Sequence, residues 1–216
     1  ELTLDCDRHF KVFNTYNVIP EYCFGCYKIQ IDLKNIIELF KLHFIFDKFE
    51  FEGNNIRKTM IETRPDVKGT YKGLIYCSGL DEAKKILDKV EPIIQLNIDQ
   101  RTKIFIKRGC TEFSISYPNF DKTDQSVKYN NVWKKKEEEI DKNYFFDKDT
   151  TLKNSIFGLS ISDALTMKNW LFYAKKIDDL NYKKFSFEID DNDHLEKKLF
   201  DQETFRKKEF LKTKQL

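Results

Sequence analysis

The chain has 216 residues, with 38 Lys and Arg against 36 Asp and Glu, 40% hydrophobic residues and 20 Phe. It is long enough for one large domain or two small ones and aromatic enough to bury a core, while seven Gly and four Pro exclude a fibrous or low-complexity chain and no apolar run approaches a membrane span. The net charge of +2 divides evenly, with 18 basic and 17 acidic residues up to Tyr117 and 20 and 19 after it, so neither half shows the basic excess of a general nucleic-acid binder.

Residues 1–20 read as a mixed polar and aromatic opening segment, without a signal-peptide pattern, of a chain that is a fragment or a trimmed domain. Within it, Cys6 and His9 form a C-x-x-H pair. In the run Cys26-Tyr27-Lys28-Ile29-Gln30-Ile31, Tyr27, Ile29 and Ile31 alternate onto one face, which predicts a first strand. Asp32 is a candidate cap for a helix over 33–49, whose apolar residues Ile36, Ile37, Phe40 and Phe44 surround much of its circumference. Gly53-Asn54-Asn55 signals a turn, and 57–63 reads as a second strand. The loop 64–69, broken by Pro65 and eased by Gly69, leads to a third strand over 71–77.

Ser78 to Asp81 fits a capping box ahead of a helix marked by Ala83, Ile86, Leu87 and Val90, which Pro92 interrupts or bends. A fourth strand follows over 102–108. The order β-α-β-β-α-β is the split βαβ arrangement, so the expected fold class is α+β with a ferredoxin-like domain over 21–117. Residues 118–216 read as a mostly helical extension or a small second module. It holds a charged helix over 132–144, a helix opened by the capping box Ser160 to Asp163, a short strand at 185–189 and a last helix over 193–211.

The sharpest chemical signal is Cys23-Phe24-Gly25-Cys26, because a C-x-x-C lets two thiolates turn toward one ion. In the expected topology the start of the first strand meets the ends of the third and fourth. Cys23, Cys26, Cys77 and Cys110 would then gather on one rim as ligands for zinc, with an iron–sulfur cluster as the second candidate. Sulfurs on one zinc lie about 3.7–4 Å apart. Buried structural thiols compete with this reading, since free Cys behaves as a small hydrophobe, and a redox C-x-x-C comes third because this motif opens a strand, not a helix. Five Cys in a chain of this length favour a reducing, cytoplasmic setting.

Only six of the basic residues are Arg. Arg64 and Arg108, with Lys72, are candidates for clamping a phosphate or carboxylate. Three functions are therefore weighed: an intracellular binding or regulatory module stabilised by a four-cysteine metal site, an enzyme domain acting on a small anion in an Arg-lined cleft, and a single-stranded nucleic-acid binder using Tyr71, Tyr76 and Phe105 on the sheet. The even charge argues against the last. The C-terminal helices are a candidate surface for a protein partner, and no membrane partner is expected.

Overall fold

Alternation places Tyr27, Ile29, Ile31 and Leu33 on one side of a strand, and in the computed structural model all four are buried in the main core. The structure describes residues 6–65, 67–120, 127–145 and 158–185, with residues 203, 204, 206 and 207. Two helices, α1 (Cys6–Tyr16) and α2 (Glu21–Gly25), precede the first strand β1 (Tyr27–Leu33). Then come α3 (Ile36–Lys48), β2 (Arg57–Ile61), β3 (Tyr71–Cys77), α4 (Leu80–Asn97) and β4 (Lys103–Arg108). The strands form one four-stranded sheet in the order β2-β3-β1-β4, with every neighbouring pair antiparallel. The protein is thus mixed α+β, and β1 lies between β3 and β4 as expected.

Helices α3 and α4 cover the face that carries Tyr27, Ile29, Ile31, Tyr71 and Ile75. Gly73 faces α3: a Cβ there would lie 2.2 Å from Leu42 Cδ2, so any side chain would force Leu42 to shift. The cap of α3 falls later than expected. β1 continues to Leu33, Asp32 accepts from the Gln30 amide at 2.6 Å, and Asn35 caps instead. The Asn35 side chain accepts from Glu38 N at 3.0 Å while Glu38 accepts from Lys34 N at 2.7 Å. At α4 the cap is Gly79, without a side-chain bond, and Glu82 accepts from Ser78 N and Ser78 Oγ instead.

Pro92 neither breaks nor ends α4. It lies on the exposed side, while Ala83, Ile86, Val90 and Ile94 bury the opposite stripe on both sides of it. The carbonyl that loses its partner can be solvated there, and burial of the stripe outweighs the local cost.

The expected loose opening segment is helical. Val12 of α1 and Val18 beyond it pack with Ile140 of α5 (Asn131–Tyr144), and Arg8 holds Asp141 through two bonds of 2.6 and 2.7 Å. Glu137 also lies 2.8 Å from Arg8. An aromatic cluster of Ile19, Cys23, Phe113 and Phe120, flanked by Phe10, Phe13, Phe24 and Trp133, joins this layer to the end of β4. Further on, α6 (Ile161–Lys176) starts at the expected Ser160–Asp163 capping box and inserts Trp170, Leu171 and Ala174 into the main core. The expected strand at 185–189 and helix over 193–211 fall largely outside the described residues.

Candidate functional site

Side chains alternate across a sheet, so the face away from α3 and α4 receives Lys28 from β1, Lys58 and Met60 from β2, and Leu74 and Tyr76 from β3. A cavity of about 380 Å³ lies on this face. Its wall is completed by Cys6 and His9 of α1, Tyr22 and Cys23 of α2, Cys26, and Gly109 and Cys110 beyond β4. It opens to solvent past Lys58 and Arg64, both exposed.

The cysteines divide by strand parity. Cys77 pairs with Tyr27 in the β1–β3 register and shares its face, so its thiol is 1% exposed inside the helix-covered core. Cys26, one residue before Tyr27, lines the cavity on the other face. The expected set of Cys23, Cys26, Cys77 and Cys110 is therefore split, with Cys77 on the wrong side of the sheet for a shared ion. Cys6 takes the fourth place, because α1 folds back over the open face. All five thiols are free.

Cys6, Cys23, Cys26 and Cys110 all line this cavity. The neighbouring Cys110, followed by burial, pushes the Cys6 thiol far above its usual range. Cys110 is pushed up to about 12, first by Cys23 and also by burial, against a lowering contribution from Cys6. Burial pushes Cys26 up to about 11 and, in the core, Cys77 up to about 12. These four thiols are protonated at neutral pH. Gly109 makes the cluster sterically feasible: a Cβ there would lie 2.2 Å from Cys26 Sγ, and its N–H donates to the Cys26 carbonyl at 2.9 Å. Among the described residues, no group of three or more His, Cys, Asp or Glu side chains stands in metal-holding geometry.

Of the three anion-ligand candidates, Arg64 and Lys72 meet at Glu62 and Arg108 is buried apart from them. Arg64 alone lines the cavity, and its guanidinium donates two bonds of 2.8 Å to Glu62 and lies 3.6 Å from Glu112. Lys72 is buried, 3.5 Å from the same Glu62. Arg108 is 1% exposed and away from the cavity wall. It donates to the carbonyls of Phe24 at 2.5 Å and Phe120 at 3.3 Å, with its guanidinium over the rings of Tyr27 and Phe120. The cations at the cavity that sequence reading passed over are Lys58 at its mouth and Lys28, which donates to the Gly109 carbonyl at 2.6 Å and whose pKa burial lowers. The C-x-x-H of Cys6 and His9 was a usable signal for the missing wall. His9 stacks on Tyr22 at 5.4 Å between ring centroids.

No family model, curated protein or solved structure matches the chain. No helix among the described residues is long and apolar enough to cross a membrane.

Proposed function

We propose that this chain is a ferredoxin-like binding module whose open-face cavity takes a thiophilic divalent ion, zinc, through Cys6, Cys23, Cys26 and Cys110. The strand order β2-β3-β1-β4 with two helices on one face supports the fold assignment. The observation that carries the function is the convergence of four of the five cysteines on one cavity. Among the described residues these sulfurs do not yet surround one point. A divalent charge in this half-buried setting displaces their protons and draws the sulfurs inward, inverting the effect that burial has on them alone. A four-thiolate site has no open position, so the ion would fasten α1, α2 and the end of β4 together and leave binding of partners to the surrounding surface. An iron–sulfur cluster is the second occupant of the same ligands.

The test is metal content and zinc titration of the full chain and of two variants. Close to one equivalent of zinc is expected, lost in Cys6→Ser and retained in Cys77→Ser. Protein that purifies without metal and shows no shift in its thermal midpoint on zinc addition would overturn the proposal, as would equal effects of the two variants.

Lys58 and Arg64 at the cavity mouth favour a second reading, a site for a small phosphate or carboxylate. It expects pyrophosphate to bind the wild type and to bind Arg64→Lys more weakly. No heat of binding on titration counts against it.

A further inference from the structure

We infer that the open-face cavity is a site for an aromatic phosphate monoester, whose ring lies on Tyr76 and whose charge offsets Lys28 and Lys58. The inference rests on the anion reading above and goes beyond it by naming the body of the ligand. It asks nothing of the metal.

The charges around the cavity select a dianion. Two carboxylates line it, Glu62 and Glu112, and both are matched by Arg64, at 2.8 and 3.6 Å. Lys72 adds a second cation to Glu62 at 3.5 Å. Lys28 and Lys58 are left over. Among the described residues, no carboxylate oxygen lies within 4.0 Å of either ammonium, and Glu112 acts on Lys28 only from farther away. Lys28 is half-buried and gives one N–H to the Gly109 carbonyl at 2.6 Å, which leaves two of its three donors for a ligand. A half-buried cation with no acid partner is costly, and an anion that enters beside it removes that cost. A phosphate monoester carries about −1.5 to −2 charge at neutral pH, close to the two unmatched lysines.

The floor between those lysines selects an aromatic body. In register, Tyr76 stands beside Lys28 and Leu74 stands beside Lys58. Strands lie about 4.8 Å apart, so the two lysines, on β1 and β2 with β3 between them, flank this floor about 10 Å across. Met60 extends it along β2. Tyr76 and Met60 are half-buried, and the surface they keep faces the cavity. The wall built by α1 and α2 is aromatic as well: Tyr22 lines it and stacks on His9, with ring planes 22° apart. A bare phosphate would leave these apolar surfaces to water. The 380 Å³ of the cavity lies within the range of about 300–1,000 Å³ typical of small-molecule sites, which are mostly apolar and carry a few polar groups that orient the ligand. A ring on Tyr76 gains both apolar burial and aromatic contact while its phosphate stays beside the lysines.

The experiment titrates the full chain with 1-naphthyl phosphate, inorganic phosphate and 1-naphthol by calorimetry, and repeats the series on Tyr76→Ala, Lys28→Met and Lys58→Gln. The wild type is expected to bind 1-naphthyl phosphate at least about tenfold tighter than inorganic phosphate, because only the ester buries a ring, and tighter than 1-naphthol. Tyr76→Ala should remove most of that advantage and leave inorganic phosphate unchanged. Lys28→Met should weaken both phosphates. So should Lys58→Gln, whose exposed place at the mouth keeps folding out of the comparison, and it should leave 1-naphthol unchanged. Equal affinities for the two phosphates overturn the inference and leave the anion reading standing. Binding of neither phosphate overturns both. 1-Naphthol bound as tightly as its phosphate reveals an apolar pocket without anion recognition and also overturns both. A 1-naphthyl phosphate affinity unmoved by all three substitutions puts the ligand elsewhere and overturns the inference.

Discussion

Arg108 shows how a charged residue can serve the core without a carboxylate on it. Its guanidinium is enclosed by two main-chain carbonyls and two ring faces, a set that satisfies a delocalised cation and leaves it unavailable to a ligand. Replacing it by Leu keeps apolar volume but strands the carbonyls of Phe24 and Phe120. At about 1–3 kcal/mol for each buried group left without a partner, Arg108→Leu should cost at least about 2 kcal/mol, read as a lower urea midpoint. Arg64→Gln at the exposed rim should cost less than about 1 kcal/mol at neutral pH. Equal costs would show that the carbonyl cage contributes nothing. From sequence, Arg108 stood out as one of six Arg in a Lys-rich chain and so as an anion ligand. That it would point inward was not legible, because nothing local to residues 106–110 announces the carbonyls of Phe24 and Phe120 that receive it.

At the scale of elements, period-2 alternation in β1 predicted the strand and put Tyr27, Ile29 and Ile31 on one face, the face it buries. The same alternation already separates Cys77 from Cys26, since Cys77 shares parity with Tyr71 and Ile75 and Cys26 is out of phase with Tyr27. What alternation cannot supply is the third wall of the site. α1 is held against α5 by Arg8 and by apolar contacts between Val12, Val18 and Ile140, long-range pairings with no local signature. The edge strand offers a test of its own. Glu62, just past β2, is held down to about 2, chiefly by its hydrogen bonds from the Arg64 side chain, against an ordinary value of 4.5. A carboxylate lowered in the folded state stabilises the fold above its unfolded pKa, and that contribution disappears as pH falls through the folded value. Stability should therefore drop between about pH 4.5 and about pH 2 as Glu62 takes up its proton. In Arg64→Gln the drop should be shallower and begin from a lower plateau, measured as urea midpoints across that range. Parallel curves for the two proteins would mean that the pair adds nothing.

Over the whole molecule, a sequence boundary near Tyr117 suggested an extension that either packs on the α/β layer or stands apart. α6 packs on it: the Trp170 ring lies 6.0 Å from Phe40 and 5.5 Å from His43 of α3, and Leu171 and Ala174 join the same core. Just beyond α6, Asp179 accepts from Ile36 N at 2.7 Å and so satisfies one of the free N–H groups that open α3. The helix itself was readable from its capping box, but its docking partner was not, because the apolar circumference of α3 shows that the helix is surrounded without showing by what. Trp170→Ala decides whether this docking couples the two halves. Removing a large buried aromatic costs about 3–5 kcal/mol when its surroundings cannot close the gap. If α6 belongs to one cooperative unit, that loss falls on the entire fold. Trp133, the other tryptophan, lies in the aromatic cluster beside Phe24 and Tyr117 and reports on the α1–α5 layer in the variant. Its fluorescence transition and the far-UV circular dichroism transition should coincide and shift together to lower denaturant. An unmoved Trp133 transition beside an early loss of helix signal would instead make 158–185 a separately melting unit, and the α/β layer with its thiol cavity would then stand without it.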